Sequence, residues 1–378
     1  MKSEGVTQKH NYIISPGLVA CWFIAVLTVW ILAAGIAEFF PLANDSNVPR
    51  SAIEILSSWD GEHYTEIASN GYSIDGADRR RFAFFPLLPT VAGLLGGQSH
   101  AALAGILFCQ ICYLGCIILL NNIALGKKPT PLHLQPGFWL LVSPLSFFFL
   151  VFYTESLFLF LTLLMVSACR KECFKSAFVL GILLGLTRPT AICLPIVFLW
   201  WAVQNFRQRK NYAGLLICAP APLLGVIIYV GLVGYLVGEP FAYLHIQREW
   251  WDSHWAIPFV ALLRDLKWFF SGLFHMRIPP IDVLIRLFSS ISILTLIVWG
   301  WRKCDLALWV FLIVSMLFIH SQEPHRSTAR YELLLFPIYF LIPQTMSRHP
   351  RLAQIVSAAL AIIQILIFIR YSSKLWVA

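Results

Sequence analysis

This sequence is short of charge, and of acid most of all. Asp, Glu, Lys and Arg make up 12% of its 378 residues, and only 19 residues are acidic. Soluble domains carry roughly twice that charged share, so an ordinary water-soluble fold is excluded. A Gly/Ser linker, a low-complexity stretch and a convincing internal repeat are also missing, which leaves one domain over residues 1–378. There is no Gly-rich phosphate loop, so no nucleotide-binding fold is indicated. The nine Cys sit mostly in apolar segments, and the polar segments expected outside the membrane hold none, which removes a disulfide framework. Cys109, Cys112 and Cys116 share one helix face with no His or acid beside them and read as small core residues. The first apolar run is too long for a cleavable leader and no small-residue site closes it, so it is expected to stay as an anchor.

What is abundant is hydrocarbon. Hydrophobic residues make up 58% of the chain, mean hydropathy is +0.73, and apolar runs recur from residue 17 to residue 371. In lipid only helices and closed barrels satisfy the backbone, and barrel strands would alternate apolar with polar residues. These runs are apolar all round, so the fold class is an all-α, polytopic transmembrane bundle. A span needs roughly 20 apolar residues. Eleven are expected: 17–39, 101–125, 137–152, 154–169, 176–187, 189–203, 211–237, 282–300, 304–320, 331–346 and 351–371. Residues 82–97, interrupted by Pro86 and Pro89, are expected to lie along the outer interface rather than cross.

The net charge of +9 invites a nucleic-acid reading, but its distribution argues against one. Lys2/Lys9, Lys127/Lys128, Arg170/Lys171/Lys175, Arg207/Arg209/Lys210, Arg302/Lys303 and Arg348/Arg351 all fall on one side of an eleven-span threading, as the cytoplasmic excess of Lys and Arg requires. The other side then carries a first outer segment, 41–100, with short interfacial helices, and a second, 238–281. Several arginines fall on this second side, where they are disfavoured. An anionic partner such as phosphate would explain them, because a guanidinium binds its oxygens bidentately.

The scarce acid is concentrated. Asp45, Glu54, Asp60, Glu62, Glu66, Asp75 and Asp78, seven of the 19, lie between residues 41 and 82. Asp60 stands out in Ser57-Ser58-Trp59-Asp60-Gly61. Two readings compete: a helix cap eased by Gly61, or a general base for an acceptor hydroxyl. Helical spacing would put Asp60, His63, Tyr64 and Ile67 on one face. Glu62 and His63 are candidates to assist or to hold a divalent cation, although one acid and one His are weak metal evidence. Arg79, Arg80 and Arg81 precede the apolar FAFFPLLP and read either as snorkelling side chains or as a lipid-phosphate site. Glu155 in the YTES break costs energy unless it is paired or used. Arg188, before Pro189, marks either a helix end or a ligand site at a discontinuous helix. His325, Arg326, Arg330 and Tyr331 form a compact polar group that reads either as a solvated loop or as a site for phosphate or sugar. In 238–281, Trp250, Trp251, Trp255 and Trp268 fit interface anchors or a sugar site.

Read in series, WDGEHYTEIASNGY, FAFFPLLP, SPLSFFFLVFYTESLFLF, GLTRPTA and HRSTARYELLLFPIYF resemble the PIG-V-type mannosyltransferases of the GT-C class of multi-span glycosyltransferases. The resemblance runs over roughly residues 17 to 345. It implies a catalytic Asp in the first outer segment, by position Asp60. It also implies a polyprenyl-phosphate sugar donor, typically mannose, a lipid- or glycan-type acceptor, and inversion at the anomeric carbon on the outer or lumenal face. No cofactor is implied, and the divalent cation stays open. Eukaryotic relatives of this type act on the glycosylphosphatidylinositol precursor. The expected location is a bacterial inner membrane, or the endoplasmic reticulum membrane in a eukaryote. A transporter or lipid-linked sugar flippase is the alternative from another class, and a membrane ligase moving larger groups is a third.

Overall fold

A computed structural model describes residues 14–39, 51–126, 130–275 and 279–377. Asp45, Lys2, Lys9, Lys127 and Lys128 lie outside the described residues. The fold is that of an all-α membrane protein. Among the described residues the strand content is one antiparallel pair, His254–Trp255 with Gln322–Glu323. Six helical stretches are long and apolar enough to cross a membrane: Pro16–Glu38, Leu87–Leu125, Pro189–Arg207, Ala213–Val237, Ile281–Trp299 and Pro350–Ser372. Phe174–Gly185 and Leu306–Ile319 are apolar but shorter.

The expected count of eleven spans is not confirmed, and two of the expected runs are not single helices. Residues 137–152 build a six-residue helix, Pro136–Leu141, and a 3-10 turn, Ser146–Phe149. Pro144 interrupts the run, and Phe147, Phe148, Phe149 and Phe152 are packed inside protein. The run is hydrophobic because it is core, not because it faces lipid. Residues 331–346 likewise divide between Thr328–Glu332 and Ile338–Met346, with Pro337 ahead of the second piece. Residues 87–125 form one helical stretch broken at Gly97 (φ 59°, ψ −164°), a backbone that suits Gly. The break separates the Pro-rich segment from the apolar run beyond it.

Glycine sets how closely the helices approach. A Cβ on Gly105 would sit 2.2 Å from the Phe152 ring, so this glycine makes room for the aromatic segment against the Leu87–Leu125 helix. Gly185 and Gly225 do the same where Phe174–Gly185 crosses Ala221–Val237: each added Cβ would meet the other helix's backbone at 2.2 Å. Small residues at such crossings are a recurrent device in lipid, where dispersion rather than the hydrophobic effect holds helices together.

The 16-residue helix Glu155–Arg170 is about 24 Å long by its rise per residue, and a different cavity lies at each of its ends. Glu155 lines one and Arg170 the other.

Candidate active site

The Glu155 end is assembled from segments far apart in sequence. Ala52–Leu56 carries a capping box, with Ser51 Oγ accepting from Glu54 N–H and Glu54 Oε2 accepting from Ser51 N–H. The next helix, Asp60–Asn70, starts after Trp59, whose φ of 61° with ψ of −119° is strained for a residue with a Cβ. Such a conformation costs on the order of 1–3 kcal/mol and persists only where surroundings enforce it. Here they do. Trp59 Nε1 donates to the Tyr371 carbonyl (3.4 Å), the Asp60 N–H donates to Tyr153 Oη (3.2 Å), and the Tyr153 and Tyr371 hydroxyls donate to the Ser58 carbonyl at 3.3 and 3.1 Å.

This backbone frees the Asp60 side chain. No side-chain cap exists at this helix start, so the capping reading of Asp60 is overturned. Its Oδ2 instead accepts from Arg330 Nη1 at 2.7 Å. Arg330 Nε is 3.1 Å from Glu155 Oε1, which in turn lies 2.6 Å from Arg188 Nη1. The four charges alternate in one chain: Asp60, Arg330, Glu155, Arg188. Glu155 is 1% exposed, and both arginines 6%. Charges that deep persist only when paired. Aromatic faces complete the cradle: Arg188 sits 4.6 Å from the Tyr331 ring centroid and Arg330 5.1 Å from that of Tyr153, geometry suited to cation–π attraction. Burial works against the charge on Arg330, yet Asp60 and Glu155 raise its pKa well above the usual value.

A cavity of about 500 Å³ opens beside this chain. It is lined by Asp60, Glu62, His63, Glu155, Arg188, Arg326, Arg330 and Tyr331. Arg326 is exposed and, among the described residues, has no acidic partner. His63 stacks on Phe84 at 4.6 Å and packs edge-on against Trp251; burial lowers its pKa, which favours the neutral imidazole. Glu62 pairs with Lys374. Among the described residues no group of three or more His, Cys, Asp or Glu side chains is placed to hold a metal.

Four of the residues singled out by sequence are not on this wall. Arg79 lies 3.4 Å from Glu239, and Arg81 pairs with Asp78 at 2.9 Å and Glu66 at 3.7 Å. Arg80 lies between them on the same 3-10 turn, Gly76–Ala83. His325 sits behind the wall, with Nδ1 2.9 Å from Thr328 Oγ1 and its ring 5.4 Å from that of His320. Of the four tryptophans, Trp251 reaches the cavity, whereas Trp250, Trp255 and Trp268 are exposed.

Sequence reasoning missed two groups. Glu332 is wholly buried, and its carboxylate accepts from Ser289 and from Ser290 Oγ (2.7 Å) and lies 3.0 Å from His320 Nε2. It pins the short helix Thr328–Glu332 that presents Arg330 and Tyr331. An acid inside an apolar run was the available signal. The second group is Lys374 and Trp376, which line the cavity from beyond the Pro350–Ser372 helix; nothing in their local sequence announces this.

Comparison with known proteins gives partial similarity. No protein-family model matches the chain, and no solved structure matches it. The mouse protein named GPI alpha-1,6-mannosyltransferase 2 (Mus musculus) is 33% identical over 120 residues, covering 28% of this chain and 23% of the relative. Its counterparts from Rattus norvegicus and Cricetulus griseus are each 32% identical over the same coverage. The similarity thus spans under a quarter of these curated relatives' length.

Proposed function

We propose that this protein is an integral-membrane glycosyltransferase that moves a hexose, mannose by its resemblances, from a polyprenyl-phosphate donor to an acceptor hydroxyl. The observation that carries the reading is the Asp60–Arg330–Glu155–Arg188 chain on the cavity wall. It supplies a carboxylate held at the cavity, and Arg326 on the same cavity lining adds a cation without an acidic partner among the described residues, the two things this transfer needs. The partial similarity to mannosyltransferases of the glycosylphosphatidylinositol type supports the sugar.

The chemistry then runs as one displacement. The Asp60 carboxylate takes the proton from the acceptor hydroxyl, and the oxygen attacks the anomeric carbon from the face opposite the phosphate. The bond from that carbon to the phosphate oxygen breaks, its electron pair leaves with the polyprenyl phosphate, and configuration inverts. A general base contributes about 10²- to 10⁴-fold. Asp60 Oδ1 has no hydrogen bond among the described residues, and it is the oxygen we assign to the proton. The leaving phosphate gains negative charge, which preorganised cations stabilise. Arg188 and Arg330 are already matched by Glu155 and Asp60, so their summed charge is cancelled. Arg326 brings the uncompensated guanidinium, and we assign it the phosphate contact. Arg330 then orients Asp60, and Tyr331 backs Arg188.

Purified protein supplied with polyprenyl-phosphate-mannose and an acceptor panel tests this directly. Release of polyprenyl phosphate with a glycosylated product is expected from the wild type. Its loss is expected in Asp60→Asn, with insertion and melting retained. Wild-type turnover in Asp60→Asn would remove Asp60 as the base.

A further inference from the structure

The strained start of the Asp60 helix is clasped by a segment more than 300 positions away in sequence. Beyond the Pro350–Ser372 helix the chain folds back toward the cavity, with Arg370 Nε donating to the Trp376 carbonyl at 2.9 Å. Lys374 reaches Glu62 and lies 5.6 Å from the Trp59 ring. The Trp376 ring meets Trp59 edge-on, with centroids 5.4 Å apart. All four side chains line the cavity, and Trp376 is 36% exposed. Folding gains little from leaving a large indole open at a polar mouth.

We infer that Trp59, Trp376, Glu62 and Lys374 form the subsite that holds the acceptor's sugar ring beside Asp60. The inference rests on the glycosyl-transfer reading and adds to it the acceptor's place and class. A pyranose has an apolar face of C–H groups and an equatorial rim of hydroxyls. An indole face buries the first with a rigid ring that loses little entropy. The Glu62–Lys374 pair, its ammonium 5.6 Å from the Trp59 ring, offers acceptor and donor groups to the second. Position separates acceptor from donor. Arg330 occupies Oδ2 of Asp60 on the side where the buried charges lie. Trp59 and Glu62 flank Asp60 in sequence, and the Glu62–Lys374 pair is 58% and 32% exposed where Glu155 and Arg330 are buried, so it lies on the solvent-open side from which a hydroxyl reaches the remaining oxygen.

The test uses the full chain in lipid nanodiscs and methyl α-D-mannopyranoside as the probe. Saturation-transfer NMR measures its binding to wild type, Trp376→Ala and Trp376→Phe. With polyprenyl-phosphate-mannose present, KM is measured for donor and probe separately. Trp376→Ala is expected to weaken probe binding and raise the probe's KM about tenfold, with donor KM and melting unchanged and Trp376→Phe restoring most of the loss. A tenfold change corresponds to about 1.4 kcal/mol, within reach of one aromatic contact. Unchanged probe binding in Trp376→Ala, or an equal rise in donor KM, would overturn the subsite. If wild type binds the probe through Trp376 but releases no polyprenyl phosphate, the subsite stands as a sugar site and the transfer reading falls.

Discussion

Two cavities of nearly equal size lie at opposite ends of one helix, about 500 Å³ at Glu155 and about 540 Å³ at Arg170. Their volumes do not distinguish them; their charges do. At the Arg170 end the cations sit on aromatic rings: Arg170 lies 5.5 Å from the Trp201 centroid and Lys303 3.3 Å from that of Trp299. The acid there, Asp305, caps a helix by accepting from the Ala307 N–H at 2.9 Å. Each of these contacts has a local structural explanation. At the Glu155 end, charges are buried in an alternating chain drawn from four separate segments, beside a strained backbone at Trp59. No local need of the fold accounts for that arrangement. Buried ion pairs seldom stabilise more than well-packed apolar residues would, so their presence marks a site better than cavity size does.

The contrast is sharpest for the acids. Asp60→Asn is expected to lower sugar transfer about 10³-fold, within the range for loss of a general base, measured as polyprenyl phosphate released per minute. The second largest effect concerns stability. Glu155→Gln leaves Arg188 at 6% exposure without its countercharge, and breaking a buried pair costs about 3–5 kcal/mol. A clear fall in apparent melting temperature should follow, with transfer lost as well. Replacing Glu155 and Arg188 together by Gln and Met should recover part of the melting loss and none of the transfer. If the double variant regained activity, the pair would be scaffold alone.

Acid pH should separate the two ends more gently. Burial and the neighbouring His320 lower the His325 pKa to about 4, while Glu323 and Asp265 work the other way and Arg286 adds to the lowering. The unfolded value is about 6.5. Between those values the unfolded chain binds more protons than the folded one, so stability is complete above about pH 6.5 and is lost as pH falls toward about 4. Melting scans between pH 7 and pH 4 should show the decline, and His325→Asn should flatten it. An unchanged slope in that variant would assign the acid sensitivity elsewhere.

Much of the architecture was readable because hydrophobic length is a strong signal. The first and last spans and the Ile281–Trp299 helix fall within two residues of their expected limits. The signal fails where an apolar run is protein core. SPLSFFFLVF is as hydrophobic as a span, but Pro144 breaks it and its aromatic residues are buried in protein, Phe152 against Gly105, Phe149 against Tyr113, and Phe147 and Phe148 against Tyr371, which makes it a buried connector. In the site, acids and arginines are scarce enough to stand out in the sequence, and the structure brings Asp60, Glu155, Arg188 and Arg330 together. Which partner each would take was not legible. Asp60 and Arg330 are 270 positions apart, and no local pattern encodes such a pairing. Lys374 and Trp376 were invisible for the same reason: a Lys and a Trp after a span read as snorkelling and anchoring groups until the chain is seen to turn back.

The smallest expected effect is the control on the whole comparison. Asp305 follows Arg302 and Lys303 in the sequence and lines the second cavity. Its carboxylate accepts from the Ala307 N–H and from Trp201 Nε1 (3.1 Å), so Asp305→Ala removes a helix cap and one side-chain bond. Loss of a cap costs about 1 kcal/mol. Melting should drop by a few degrees while KM for donor and acceptor and the rate of transfer stay at wild-type values. A large loss of transfer in Asp305→Ala, with melting scarcely changed, would mean that the second cavity also takes part in the reaction, and the distinction drawn here between paired buried charge and local structural charge would fail as a guide to function in this fold.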